Sequence, residues 1–197
     1  MRTFKMIAVS NWELYQKNHG TEKVEDYVNH LAKLEQSAYR PNMLILREKN
    51  LPQEQYEKLL EMVCEKMGKN EIALMPHTFL STARQTGINR IHLPFSLLKQ
   101  YAAEKRLQRM EVVGTSVHSV EEAIMAEQLG ASYITAGHIF VTNCKQGLEP
   151  RGMKFLEKVC QNVKIPVYAI GGIHPDNLEE IRNSQASGAC MMSEYMK

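Results

Sequence analysis

The segment Gly137-His138-Ile139-Phe140 places a histidine directly after a short apolar run, at the start of a loop that continues to Arg151. Imidazole titrates near neutral pH, so a histidine in such a position can take up and release a proton during a reaction. His118 follows another apolar run and raises the same question. Hydrogen-bonded structural histidines are about as common at such positions, so the pattern alone leaves a catalytic and a structural role open.

A pair of glycines, Gly171 and Gly172, follows a later apolar run. Glycines at a strand-to-helix turn let backbone N–H groups approach a ligand, and the start of the next helix favours an anion. Ser193 comes directly after the last apolar run and is a second candidate for the same site. The three residues predict a phosphate site, with a plain tight turn as the alternative.

Three cations are candidates for binding a carboxylate or a phosphate: Arg47, Lys49 and Lys145. The triplet Arg47-Glu48-Lys49 by itself is more typical of a solvated, charged loop. Among the other histidines, His92 lies within an apolar run and is expected to pack in a strand. No role is assigned to the remaining four histidines. His77 and His174 are expected in loops, and His19 and His30 are expected at the surface.

The elements that would carry these residues alternate along the chain. Short apolar runs predict strands over residues 4–9, 43–46, 72–75, 90–93, 111–117, 133–136, 167–170 and 189–192. Amphipathic segments predict helices over residues 21–36, 53–66, 79–86, 95–104, 119–129, 153–160 and 176–184. Strict alternation favours a parallel sheet with helical crossovers, and the nearly continuous apolar strands favour a sheet covered on both faces.

Eight such units in 197 residues predict a compact α/β fold, a (β/α)8 TIM barrel, as one domain over residues 1–197. An open doubly wound sheet is the alternative. Only residues 193–197 follow the eighth strand, so the final helix is expected to be missing or vestigial. In a barrel the functional residues lie at the C-terminal strand ends.

Composition narrows the range of partners. With 24 Lys plus Arg against 22 Asp plus Glu, the net charge is +2, which gives no general attraction to nucleic acid or to a membrane surface. No apolar run approaches the roughly 20 residues that span a bilayer, and no signal peptide is recognisable, so we expect a cytoplasmic protein. The four cysteines show no CxxC spacing and predict neither zinc nor a disulfide.

The chain resembles the thiamine phosphate synthase/TenI family over nearly its whole length. Six segments carry the resemblance: LILREK (44–49), INRIHLP (88–94), VGTSVHSVEEA (113–123), AGHIFVTNCKQGLEPRG (136–152), IPVYAIGGIHPDN (165–177) and GACMMS (188–193). The resemblance implies a triosephosphate-isomerase-type barrel and a phosphorylated thiazole ligand. It also implies that Gly171, Gly172 and Ser193 hold the phosphate.

The family has a synthase branch, which joins a thiazole phosphate to an aminopyrimidine diphosphate and needs Mg²⁺ held by two aspartates. The synthase's Asn-Asp pair falls on His77-Thr78 here, and its second aspartate falls on Leu97. Ile45 stands where the synthase motif usually has glutamine. Because Mg²⁺ requires oxygen ligands, these departures weigh against synthase activity.

The chain resembles more closely the other branch, TenI. That resemblance implies a thiazole tautomerase, an enzyme that isomerises a carboxythiazole phosphate to its aromatic form. Its Gly-His pair and later Cys-Lys pair match Gly137-His138 and Cys144-Lys145. The resemblance implies that His138 moves the proton without metal or cofactor. Arg47, Lys49 and Lys145 become candidates for the substrate carboxylate or for electrostatic stabilisation.

Three further residues are expected in the pocket wall: Ser116, His118 and Thr142. The expected partner is a small thiazole phosphate, with no nucleic acid and no membrane, and the resemblance leaves a homodimer open. Two alternatives to the tautomerase remain: the synthase itself, and a catalytically silent ligand-binding or regulatory protein on the same barrel.

Overall fold

The computed structural model describes residues 3–68, 71–142 and 147–197. Within them eight parallel strands form one sheet in the order β3-β2-β1-β8-β7-β6-β5-β4. The strands are β1 (Lys5–Val9), β2 (Met43–Leu46), β3 (Ala73–Pro76), β4 (Arg90–Pro94), β5 (Val112–Val117), β6 (Tyr133–Gly137), β7 (Val167–Ile170) and β8 (Gly188–Met191). All eight predicted strands are present, with no end shifted by more than one residue.

The sheet curves until its two outer strands, β3 and β4, meet. They are joined by a parallel bridge between His77 and His92, and the amide of Thr78 donates to the carbonyl of His92 at 3.1 Å. The result is a nearly closed barrel. The predicted TIM-barrel fold is therefore confirmed, and the doubly wound alternative is wrong because an open sheet would leave both outer edges apart.

Eight α-helices cover the outside of the barrel in the described part of the chain. They are α1 (Trp12–His19), α2 (Val24–Lys33), α3 (Gln53–Met67), α4 (Leu80–Gln85), α5 (Phe95–Ala103), α6 (Val120–Gln128), α7 (Gly152–Asn162) and α8 (Leu178–Arg182). The predicted 21–36 helix is the shorter α2 followed by a 3₁₀ turn at Leu34–Gln36. The predicted 176–184 helix shrinks to the five residues of α8.

Helix α1 was not predicted, because its apolar residues are too few to show a clear helical period. Its ends are nevertheless well defined. The side chain of Asn11 accepts a hydrogen bond from the amide of Leu14 at 2.9 Å, and Gly20 ends the helix in the left-handed conformation. These are local signals that mark a helix even where amphipathicity is weak.

After β8 the described residues form a short 3₁₀ turn, Ser193–Met196. The side-chain amide of Asn18 donates to the carbonyl of Met196 at 2.9 Å, so α1 holds this turn in place. The Nε2 atom of His30 lies 2.6 Å from the carbonyl oxygen of Tyr195. The predicted surface position of His30 is therefore wrong, because the terminal turn half-buries its ring.

Apolar side chains fill two layers. The larger one lies between the sheet and the helices and includes Met6 and Ala8 of β1. The smaller one fills the barrel interior with seven buried residues: Ile7, Val9, Ile45, Met75, Tyr133, Tyr168 and Cys190. Because successive strand residues point to opposite faces, both layers draw on the same strands. None of the helices described is long and apolar enough to cross a membrane.

Candidate functional site

A cavity of about 1270 Å³ opens where the C-terminal strand ends converge. Nine of the ten site residues predicted from the sequence line it: Arg47, Lys49, Ser116, His118, His138, Thr142, Gly171, Gly172 and Ser193. Lys145, the tenth, lies outside the described residues. The structure thus brings together side chains and glycines from five different strand ends.

The glycine pair after β7 has a packing role of its own. Gly171 and Gly172 have φ values of 97° and 67°, which side chains rarely adopt. A Cβ atom at Gly171 would lie 2.3 Å from Cβ of His138, and one at Gly172 would lie 2.3 Å from the carbonyl oxygen of Val141. The loop after β6 therefore rests directly on this turn. The need for glycine here does not by itself indicate a ligand.

Backbone donors are nevertheless available at the same turn. The amides of Gly172 and Ile173 make no hydrogen bond within the described parts of the chain, while Asn177 donates to the carbonyl of Gly172 at 2.8 Å and fixes the turn. Ser193 faces the same cavity. The helix contribution expected from the sequence is wrong, because α8 begins only at Leu178 and is too short to provide an anion site.

His138 is nearly enclosed, with 3% of its surface exposed. Its Nε2 atom lies 3.3 Å from the carbonyl oxygen of Leu148. A carbonyl can only accept, so this contact places the ring hydrogen on Nε2 and leaves a lone pair on Nδ1. The Nδ1 atom has no hydrogen-bond partner among the described residues. The arrangement suits a base, because an imidazole nitrogen that is not already bonded can accept a proton.

Glu48 organises the side of the cavity that carries Arg47 and Lys49, a role that was not predicted for it from the sequence. Its buried carboxylate accepts from the Ser10 hydroxyl at 2.5 Å, the Tyr27 hydroxyl at 2.6 Å and the Trp12 amide at 2.8 Å. Burial raises the pKa of Glu48 above its ordinary value, and this effect is larger than the opposite effect of the three hydrogen bonds, which lower the pKa. Ser10 also accepts from the amide of Arg47 at 2.8 Å. The loop that carries Arg47 is thereby tied to the end of β1.

Two buried histidines in the cavity wall were not recognised as site residues. His92 lies within β4, as expected, but its ring faces the cavity: Nδ1 is 2.9 Å from the Tyr133 hydroxyl and Nε2 is 2.9 Å from the Ser116 hydroxyl. Ser116 in turn accepts from Thr135 at 2.8 Å. His77, expected in a loop, is also buried and stacks on His92, with ring centroids 5.7 Å apart.

A signal for His92 was present in the sequence. Ile91 and Leu93 are the outward-packing residues of β4, so a side chain between them must point into the barrel. His77 had no such signal, because its position depends on the closure between β3 and β4.

Both imidazoles are held neutral. Burial, with the nearby charges of Arg47 and other groups, lowers the pKa of His77 to about 2, and burial together with Arg47 lowers that of His92 to about 3. A neutral imidazole offers one donor and one acceptor. These rings therefore act as hydrogen-bonding groups and not as cations.

Two further histidines lie at the rim of the cavity. The amide of His118 donates to the carboxylate of Glu122 at 2.6 Å, and the ring is 42% exposed. His174 places Nδ1 2.9 Å from the carboxylate of Glu194. Both rings are more open to solvent than His138, and each lies beside a carboxylate.

The described residues do not fit the Mg²⁺ site that the synthase chemistry implies. The carboxylates lining the cavity are Glu13, Glu48 and Glu122, and the described ranges hold no group of three metal-ligating side chains. At the two aligned positions, the Thr78 hydroxyl lies 2.7 Å from a ring nitrogen of His77, and Leu97 packs against the core. A magnesium ion prefers carboxylate and water oxygens, which these positions do not supply.

Fold and cavity together define a TIM-barrel protein whose polar site lies at the C-terminal strand ends. The chain belongs to the thiamine monophosphate synthase (TMP-TENI) family, whose model matches residues 13–195. The sequence-based recognition of the family is confirmed.

Named relatives come from several bacteria and archaea. "Thiamine-phosphate synthase 2" of Streptococcus pneumoniae is 31% identical over 180 residues, covering 90% of this chain and 85% of the relative. "Thiamine-phosphate synthase" of Fusobacterium nucleatum is 32% identical over 148 residues, covering 75% and 72%. A solved structure of the thiamine phosphate pyrophosphorylase of Pyrococcus furiosus superposes with a TM-score of 0.78 at 23% identity, covering 99% of this chain and 88% of that one. It supports the fold alone.

The relatives' names favour the synthase alternative over the tautomerase expected from the sequence. Both curated relatives are named as synthases, and neither name indicates an isomerase. At the level of the family the chain therefore belongs with enzymes of thiamine biosynthesis, and the particular reaction is a separate question.

The neutral histidines make stability depend on pH. Because the pKa values of His77 and His92 are lowered to about 2 and about 3, the unfolded chain binds two protons below about pH 6.5 that the folded protein does not. The free energy of unfolding should therefore fall as pH falls from 6 to 4, by about 1.4 kcal/mol per pH unit for each histidine. Urea denaturation at several pH values measures this slope. His77→Phe should remove the contribution of one histidine from this slope. An unchanged slope would contradict the lowered pKa of His77.

Proposed function

We propose that the protein is a thiazole tautomerase, which isomerises a carboxythiazole phosphate to its aromatic tautomer. The observation that carries this proposal is His138, which lines the cavity, has its Nε2 atom 3.3 Å from a carbonyl oxygen, and has a buried Nδ1 atom with no hydrogen-bond partner among the described residues. The family membership supports a thiazole phosphate as the ligand.

The proposed reaction is a transfer of one proton within the ligand. The phosphate binds at the turn of Gly172 and at Ser193, which fixes one end of the molecule. The Nδ1 atom of His138 accepts the carbon-bound proton, and the imidazolium then returns it to a second carbon, so that the ring becomes aromatic. The Leu148 carbonyl, which accepts from Nε2–H, stabilises the charged imidazolium between the two steps.

The second candidate is thiamine phosphate synthase, a transferase, and the names of the relatives favour it. The sequence favours the tautomerase, because Thr78 and Leu97 stand at the positions where the synthase resemblance requires aspartate. Proton transfer within one ligand needs a positioned base and anchored ends, both of which the described residues can supply.

Replacement of His138 tests the base. We expect His138→Asn to lower kcat for tautomerisation by roughly 100- to 10,000-fold, the usual contribution of a positioned acid or base. Binding of inorganic phosphate should be retained, since the phosphate contacts lie after β7 and β8. His19→Asn, at an exposed histidine away from the cavity, is the matched control.

Near-normal turnover of His138→Asn would exclude His138 as the base, and His118→Asn would then be measured as the next candidate. If the unmodified protein bound thiazole phosphate but never isomerised it, the silent binding-protein alternative would replace the proposal.

Divalent cations separate the two enzymatic candidates. We expect tautomerisation to proceed equally with excess chelator and with Mg²⁺, because the described cavity lacks the aspartates of a diphosphate-bound magnesium site. The same samples are assayed for thiamine phosphate formation from thiazole phosphate and aminopyrimidine diphosphate. Robust Mg²⁺-dependent product formation would establish the synthase in place of the tautomerase.

A charge placed in the phosphate site tests its location. Gly172 is unsuitable for this purpose, because any side chain there collides with the loop after β6. Ser193→Asp should instead raise the Kd for inorganic phosphate by about tenfold or more through charge repulsion. Ser96→Asp, which adds the same charge at an exposed position on the far side of the same cavity, should change it less than about threefold. Calorimetry measures the Kd for phosphate in each variant. Equal effects of the two substitutions would contradict the assignment of the phosphate site to Ser193.

A further inference from the structure

The barrel places His77 across its mouth from the phosphate site. His77 follows β3 directly, and Gly171 follows β7. In the strand order, β3 and β7 are separated by four steps through β2, β1 and β8, and by four steps through β4, β5 and β6 once the barrel closes. His77 therefore lies on the opposite side of the cavity from a phosphate bound after β7 and β8.

Hydrogen bonding leaves one nitrogen of His77 available. Its Nδ1 atom lies 2.7 Å from the Thr78 hydroxyl, while no hydrogen bond of its Nε2 atom is found among the described residues, and the residue lines the cavity. The neighbouring His92 has no spare nitrogen, because Tyr133 and Ser116 engage both of its ring atoms. His77 therefore presents the unengaged nitrogen of the stacked pair.

The surroundings define what that nitrogen would bind. The Thr78 hydroxyl can rotate to donate to Nδ1, which leaves the hydrogen of the neutral ring on Nε2. Arg47 and Lys49 line the same side of the cavity and interact electrostatically with His77. A neutral N–H donor beside two cations suits an anionic oxygen, and stacking on His92 at 16° between ring planes fixes the direction of the donor.

We propose that His77 is a specificity-determining residue that donates its Nε2–H to the ligand carboxylate, at the end of the cavity opposite the phosphate. This inference rests on the proposed function for the identity of the ligand. It adds that the carboxylate is recognised by a buried neutral histidine together with Arg47, and not by surface lysines alone.

Two ligands that differ only in the carboxylate test the proposal. The Kd values of carboxythiazole phosphate and of the same thiazole phosphate without its carboxylate are measured by calorimetry for the unmodified protein and for His77→Phe. Phenylalanine keeps a ring that can stack on His92 but has no donor. We expect the Kd of the carboxylated ligand to rise roughly 10- to 100-fold, as for a lost hydrogen bond to a charged group. The Kd of the other ligand should change less than about twofold.

Controls separate recognition from folding. His19→Phe makes the same chemical change at an exposed position and should alter neither Kd. If His77→Phe does not fold, His77→Leu replaces it, since leucine also has no hydrogen-bond donor. Inorganic phosphate should bind all folded variants equally, because its site lies on the opposite side of the barrel.

The outcomes distinguish this inference from the proposed reaction. A loss of affinity for the carboxylated ligand alone supports the role of His77, even if the unmodified protein shows no turnover. In that case only the proposed tautomerase reaction is wrong. An equal loss for both ligands, or no loss, overturns the role of His77, whatever the turnover. Failure of the unmodified protein to bind either thiazole would contradict both.

Discussion

Closure of the parallel sheet is the constraint on which the rest of the molecule depends. The outer strands β3 and β4 meet through His77 and His92, with one backbone hydrogen bond from Thr78 to His92. Closure collects eight strand ends around one cavity, so that residues far apart in sequence, such as Arg47 and Ser193, face the same space. Without it, the two histidines would lie on opposite edges of an open sheet.

The buried polar groups fall into two kinds. Glu48 and His92 are fully engaged: the carboxylate has three donors and both ring nitrogens have hydroxyl partners. Such groups fix the positions of the loops, because a buried polar atom without partners costs free energy. His138 and His77 each retain one nitrogen without a partner in the described chain. These incompletely bonded atoms are where a ligand would complete the hydrogen bonding.

Family membership and site chemistry answer different questions. The family model and the named relatives define the barrel and the thiamine pathway to which it belongs. The particular residues of this chain, with Thr78 and Leu97 where the synthase needs aspartate and His138 in the cavity wall where proton transfer needs a base, determine which reaction is chemically supported. The same fold can therefore carry either reaction.

The sequence by itself determined the eight strands, the barrel and the positions of most cavity residues, because strand periodicity and the order of strand ends are local properties. It also marked His138 and the glycine turn. Only the tertiary structure decided that Gly171 and Gly172 are required by the loop packed on them, that Glu48 is a buried anchor, and that His77 belongs to the site. Each of these depends on contacts between segments distant in sequence, and hydrophobic pattern and spacing carry no information about which distant groups will meet.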